Sequence, residues 1–152
     1  MSFDIVSDTM NLFVQDHTLV SPTLDPYAAN PLVQGEWLEK VGGAQEDRAQ
    51  RGSANPATDR SYPVWSERGR TDTQALGKAP LIMGGWFEAN TDIFLGTGIT
   101  LGEDLVVNDV TIGGLTRRGL IQVGGGGGRV VAYCSKLPAD NGGLLRLIFT
   151  LG

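Results

Sequence analysis

The feature that most constrains this chain is the alternation of short apolar runs and turn residues in its C-terminal third. Gly119-Leu-Ile-Gln-Val123 is followed by five consecutive glycines, Gly124 to Gly128. Then come Arg129-Val-Val-Ala-Tyr-Cys-Ser135, Pro138-Ala-Asp-Asn-Gly-Gly143 and Leu144-Leu-Arg-Leu-Ile-Phe-Thr150. β-Branched and aromatic residues bounded by glycine, proline and asparagine spell strand, turn, strand. Asn141-Gly142 predicts a tight two-residue hairpin turn, because both residues tolerate the positive φ such a turn demands. No catalytic residue type stands out in this stretch, so it reads as scaffold.

The 152 residues fit one domain. A chain of this length buries roughly 68–70% of its unfolded surface, enough for a core without disulfides. The 22 glycines and 7 prolines break helices and serve turns, which favours a turn-rich all-β fold. The net charge of −5 is unevenly placed: residues 1–76 carry 6 Lys/Arg against 11 Asp/Glu, whereas residues 77–152 carry 6 of each. An acidic chain is a poor match for a phosphate backbone, so no nucleic-acid partner is expected. Cys134 is the only cysteine, so no internal disulfide forms. Strand alternation places it on the face of Val130 and Ala132, as a buried structural thiol. No apolar run approaches the ~18 residues of a membrane span. The first residues lack the basic start and apolar stretch of a signal peptide. Synthesis in a reducing cytoplasm and no membrane partner are the expectations.

Residues 1–30 read as an extended N-terminal arm, and residues 31–152 as a single small β-barrel or tulip-like domain. Phe3, Ile5, Val6, Leu12, Phe13 and Val14 follow no 3.6-residue period, and Pro22, Pro26 and Pro31 keep the chain extended. An arm this apolar is expected to lie on its own barrel or on a partner. Gly35–Val41 predicts the first strand, with Trp37 and Glu39 on one face. A polar insertion follows over residues 42–61, with room for one helical turn around Gln45–Gln50. Tyr62–Glu67, Lys78–Met83 and Gly84–Ala89 resume the strand pattern. Pro80 cannot donate to a ladder and is expected at an edge or bulge. Asn90–Phe94 predicts a single turn with a polar cap. Asp104–Asn108, Val110–Ile112, Gly119–Val123, Val130–Leu137 and Leu144–Leu151 complete the strands.

The residues that carry chemistry do not form a recognisable constellation. The glycine run fits no dinucleotide fingerprint in any register, and Gly77-Lys78 is followed by Ala79, not by Ser or Thr. The run therefore reads as a hairpin loop. His17, the only histidine, lies in the arm between Asp16 and Thr18, where a triad geometry is hard to hold. One His and one Cys leave no ordinary zinc site. Glu103, Asp104 and Asp109 cluster, as do Glu46 and Asp47. Such groups are more often solvated turn residues than a glycosidase pair. Trp37, Trp65 and Trp86 are expected in the core or at a subunit interface, in preference to a sugar platform. The chain is thus expected to be no enzyme, with no catalytic or metal residues and no cofactor.

Three passages resemble the capsid decoration (cement) proteins of tailed bacteriophages. They are Pro31-Leu-Val-Gln-Gly-Glu-Trp37, Tyr62-Pro-Val-Trp-Ser-Glu-Arg-Gly-Arg-Thr-Asp-Thr-Gln-Ala-Leu-Gly-Lys78 and Val130-Val-Ala-Tyr-Cys-Ser-Lys-Leu-Pro-Ala-Asp-Asn-Gly-Gly-Leu144. With Gly84–Val107 they span most of residues 31–151. The resemblance implies a structural protein on the capsid exterior that bridges subunits of the major capsid protein, often as a homotrimer. It also implies that the extended arm pairs with the shell. On this reading Phe3, Ile5, Val6, Leu12, Phe13 and Val14 are the capsid-binding residues. Trp65, Arg68, Arg70 and Trp86 are candidates for the trimer or capsid interface. A tail or baseplate β domain, or a small sugar-binding β domain, are the alternatives.

Overall fold

The computed structural model describes residues 3–7, 12–20, 30–40, 48–52, 60–65, 77–125 and 129–150. The fold is all-β, with eleven strands, two short 3-10 turns and no α-helix among the described residues. In chain order the strands are β1 (Phe3–Ile5), β2 (Phe13–Leu19), β3 (Trp37–Lys40), β4 (Arg48–Gln50), β5 (Ser61–Pro63), β6 (Lys78–Gly84), β7 (Trp86–Thr91), β8 (Asp104–Ile112), β9 (Leu115–Gln122), β10 (Val130–Lys136) and β11 (Leu145–Thr150). They form a six-stranded sheet, order β1-β7-β11-β10-β8-β9, and a five-stranded sheet, order β5-β3-β4-β2-β6.

The five-stranded sheet curls until its ends meet. Val64 bridges Leu81, and the Trp65 N–H donates to the Pro80 carbonyl at 3.0 Å. Pro80 has no N–H to return the bond, so this closing seam stays thin. Proline is tolerated there because its missing donor faces the sparsely paired side of β6. Inside the ring, Leu32, Leu38, Ala49, Tyr62, Val64, Ala79 and Leu81 form a core of their own. The one parallel pairing between two strands among the described residues, β2 with β4, lies within this ring.

Alternation on the barrel strands sends neighbouring residues to different cores. Leu38 points into the ring while Trp37 points out of it, and Leu81 and Ile82 divide the same way. The outward set meets the inner face of the six-stranded sheet, where Phe87, Ala89, Leu105, Leu145, Leu147 and Phe149 are buried. Trp37 lies 5.5 Å from the Phe149 ring, and Phe149 lies 4.7 Å from Phe87. Cys134 and Ala132 share this core as expected. Val130 instead turns outward, because the ladder shifts register between Val130 and Ala132. The second face of β8 is covered as well. There Val106, Val110 and Ile121 pack with Ile93. Two buried faces explain the near-continuous apolar run of this strand.

Several expectations are corrected in detail. Residues of the N-terminal segment are extended, but as strands of the domain's own sheets. β1 pairs with β7, and β2 lies between β4 and β6. A boundary at residue 30 therefore separates no free arm from the domain. Residues 48–50, expected within a helical turn, are strand β4, which seats Ala49 in the barrel. Asn90 and Thr91 continue β7 and Phe94 bridges Leu120, so no helical turn forms there, although the Thr91 hydroxyl does accept from the Ile93 N–H at 3.1 Å. The final hairpin is present, but its connection is longer than the Asn-Gly pair predicts. Pro138–Asp140 makes a 3-10 turn, Asn141 keeps a negative φ of −136°, and the positive φ values fall on Gly142 and Gly143. A two-residue glycine turn closes the β8–β9 hairpin instead. Gly113 and Gly114 have φ of 60° and 80°, as the tight mirror-image turn requires.

Candidate interaction surface

Some of the groups with catalytic potential make structural contacts. Glu103 Oε2 accepts from the Thr100 N–H at 2.9 Å and from its hydroxyl at 3.2 Å, which fixes the turn into β8. Asp104 and Asp109 are five residues apart on one strand, about 17 Å at ordinary strand rise. That is too far for a glycosidase carboxylate pair. Glu46 and Asp47 lie outside the described residues. His17 is buried, with Nδ1 3.1 Å from the Gln15 carbonyl oxygen. Burial pushes the Cys134 thiol above its ordinary value, which disfavours the nucleophilic thiolate. Among the described residues no group of three or more His, Cys, Asp or Glu side chains is placed to hold a metal. No helix among them is long and apolar enough to cross a membrane.

The densest polar feature is a buried ionic seam between the two layers. Glu36, fully buried, receives Arg117 at 2.6 Å on Oε1 and Arg51 at 3.2 Å on Oε2. Beside it, Glu39 Oε1 accepts from Arg118 at 2.8 Å and from the Ser61 hydroxyl at 3.1 Å. Arg118 also reaches Asp109 at 2.9 Å, on the half-exposed rim. β9 carries both arginines into the seam, while Glu36 immediately precedes β3 and Glu39 lies on it. Arg51 follows β4, inside the polar insertion. Burial raises the Glu39 carboxyl, and Arg118 pulls it back only in part. Burial also disfavours the Arg118 charge, but Glu39 and Asp109 outweigh it and raise that group. These charges face each other across the two layers and hold them in register, while Glu39 Oε2 and Arg118 Nε are buried without a hydrogen-bond partner among the described residues.

Among the described residues, three exposed large apolar side chains lie near the turn from β6 into β7. Phe13 and Trp86 are each 58% exposed, and Val6 is 45% exposed. Phe13 opens β2 opposite Gly84, whose lack of a side chain leaves room beside the Phe13 Cβ. Gly85, with φ of 105°, turns the chain from β6 into β7. Trp86 follows immediately. The Val6 N–H donates to the Glu88 carbonyl at 2.8 Å. This makes Trp86 the diagonal cross-strand neighbour of Val6, within reach of an aromatic side chain. The other exposed large apolar residues are dispersed: Leu95 and Leu101 before β8, Leu115 on the β8–β9 hairpin, Val123 and Val130 beside the glycine run.

The residues expected to bind the shell divide sharply. Phe3 is buried against Phe87, with ring centroids 6.2 Å apart. Ile5, Leu12 and Val14 pack on the same core. Phe3 is fully turned inward and Ile5, Leu12 and Val14 are half-buried, because the segment's period-2 pattern is used against its own sheets; Val6 and Phe13 are the exposed members of the set. Of the interface candidates, Trp86 is exposed and Trp65 packs against the core. Arg68 and Arg70 lie outside the described residues. Sequence reasoning missed Glu36, Arg51, Arg117 and Arg118. The available signal was the Arg117-Arg118 pair leading directly into the apolar run Gly119-Leu-Ile121, since a charge amid core residues implies a buried partner. No protein-family model, curated protein or solved structure matches this chain.

Proposed function

We propose that the protein is a non-enzymatic structural subunit that decorates the exterior of a tailed-phage capsid and bridges major capsid protein subunits as a homotrimer. The observation that carries this reading is the exposed Val6–Phe13–Trp86 corner on a body whose other large apolar side chains are mostly buried or dispersed. Clustered apolar exposure of this kind marks a protein contact. The internal use of the carboxylates and of His17 supports a binding role over a catalytic one. Multivalency suits such a role, since a trimer touching several shell subunits gains avidity of about 10²–10⁴ over one contact.

The test is to add the purified protein to shells that lack it and to image them by cryo-electron microscopy. Trimeric density at symmetric sites and a raised shell melting temperature are expected. Trp86→Ser with Phe13→Ser should lower occupancy at least tenfold while the free domain stays folded, because both side chains are at the surface. Absence of density on shells at saturating protein would refute the proposal.

A further inference from the structure

We propose that Asn141 is a site of slow covalent modification: its side-chain amide is lost to attack by the backbone nitrogen of Gly142, and the fold sets the rate by clamping that amide. Neither the chemistry nor its control involves a partner.

Asn141-Gly142 is the only Asn-Gly pair in the chain. Glycine has no Cβ to shield its backbone nitrogen, so that nitrogen is the least hindered nucleophile for the preceding side chain. Around this turn the N–H groups of Asn141, Gly143 and Leu144 each donate to a backbone carbonyl. The Gly142 N–H makes no hydrogen bond among the described residues, and Gly142 is exposed. The amide it would attack is held. Asn141 Nδ2 donates to Asn90 Oδ1 on β7 and to the Leu144 carbonyl, each at 2.9 Å. Arg146 Nη2 donates more weakly to Asn141 Oδ1, at 3.4 Å. Arg146 Nε also donates to Asn90 Oδ1 at 3.0 Å, which fixes that oxygen in place. At the observed ψ of 31° the Asn141 Cβ points away from the Gly142 nitrogen. Ring closure needs both on the same side of the Cα–C bond.

The only co-reactant is water. The Gly142 nitrogen attacks the Asn141 Cγ and gives up its proton. The new C–N bond closes a five-membered succinimide, and the side-chain nitrogen leaves as ammonia. Water then opens one of the two ring carbonyls, which yields Asp or isoAsp. Attack requires the Cα–C bond to turn, and that turn carries the side chain away from Asn90, Leu144 and Arg146. The reaction therefore runs through the small fraction of molecules in which this connection has opened. Afterwards the acid has no N–H for Asn90 or Leu144, and it faces Arg146 as a carboxylate. A tie between the β10–β11 connection and β7 is thus exchanged for an ion pair within the hairpin. In the isoAsp form an added backbone carbon also lengthens the turn across which Gly143 donates to the Pro138 carbonyl at 2.9 Å.

Timed incubation of the purified protein in mildly alkaline buffer tests this, read by anion-exchange chromatography and tryptic mapping. Trypsin releases residues 137–146 as one peptide, which holds no other Asn or Gln. A more acidic form should accumulate slowly, with both Asp and isoAsp at position 141. The urea-unfolded chain should convert at least about tenfold faster, because opening no longer limits the step. Asn90→Ala removes one clamping hydrogen bond and should speed the folded chain about threefold to tenfold. The proposal is overturned if Asn141 keeps its amide in the unfolded chain, or if the acidic forms of the folded protein map to other residues. It is equally overturned if folded and unfolded chains convert at the same rate, a comparison that needs no variant. An unchanged rate in Asn90→Ala protein that melts like the parent also overturns it, since the clamp then does not control the step.

Discussion

Replacing Glu36 with Gln probes how the two layers are held together. The carboxylate is fully buried and faces two guanidinium groups, Arg117 at 2.6 Å and Arg51 at 3.2 Å. At an effective dielectric near 20, each attraction is worth roughly 4 kcal/mol for charge centres about 4 Å apart. Removing the charge also relieves the carboxylate's own desolvation, which offsets several kcal/mol. The arginines keep backbone partners, since Arg51 reaches the Asn30 carbonyl at 2.7 Å and Arg117 the Pro31 carbonyl at 2.9 Å. What remains is two buried cations that have each lost the Glu36 carboxylate, for which a loss of about 3–5 kcal/mol is expected. A chain of this size loses about 2–4 °C per kcal/mol, so the melting temperature should fall by roughly 6–20 °C. Urea titration read by tryptophan fluorescence measures the loss, because Trp37 is buried beside Glu36. The midpoint should move with an unchanged slope. Replacing the trio together, with Glu36→Leu, Arg51→Met and Arg117→Met, should recover most of the loss, since apolar groups of similar size leave no charge uncompensated. A cost below about 1 kcal/mol for Glu36→Gln would refute the reasoning, because arginines that tolerate its loss are solvated.

Four further outcomes are expected. Gly119→Ala places a Cβ 2.6 Å from the Ile93 carbonyl oxygen and 2.8 Å from the Val110 side chain, so a loss of at least about 1–3 kcal/mol should appear in the same titration. Phe149→Ala opens the centre of the Trp37–Phe149–Phe87 stack and should cost about 3–5 kcal/mol, read calorimetrically. Glu39 has its carboxyl raised above the ordinary 4.5, chiefly by burial. The folded state then retains a proton that the unfolded chain releases. This contribution to stability is complete below pH 4.5 and is lost as pH rises through the raised value. Glu39→Gln should flatten that descent in urea midpoints measured across the range, and an unaltered descent would assign it to another group. Deleting residues 1–20 removes β2 from between β4 and β6. The barrel should fail to fold, seen as loss of the cooperative melt.

What the sequence reveals depends on how local the deciding contact is. The C-terminal strands are legible because a period-2 pattern and a bounding turn lie within a few residues of each other. The N-terminal segment has the same signal in short pieces: Phe3 with Ile5, then Leu12 with Val14. The lack of helical period there pointed to an arm, when the alternation already pointed to strands. β4 is harder to see, because Arg48-Ala-Gln has one inward residue, Ala49, and polar neighbours on both sides. The ionic seam is the least legible part. Glu36 meets Arg117 across 81 residues of sequence, and Glu39 meets Arg118 across 79. No local pattern encodes such a pairing, although two adjacent arginines leading into an apolar run are a sign that one exists.

The two N-terminal strands have different freedom, and this bears on how the molecule can assemble. β2 is flanked on both sides, and the barrel has little closure to spare. Its other joint is the Val64–Leu81 bridge with a single return bond to Pro80. Losing β2 would leave that thin seam to hold an open sheet. β1 is flanked on one side and anchored by Phe3, by Ile5 on the same core and, just past its end, by the Val6 N–H and the Ser7 hydroxyl on Glu88. Its departure uncovers one aromatic slot and leaves the barrel ring complete. An arm that reaches a partner can therefore draw only on the residues before β2, which is far less than a thirty-residue tether. The exposed Val6, Phe13 and Trp86 lie where that short reach begins. A partner that engages this corner must therefore come within the reach of that short segment.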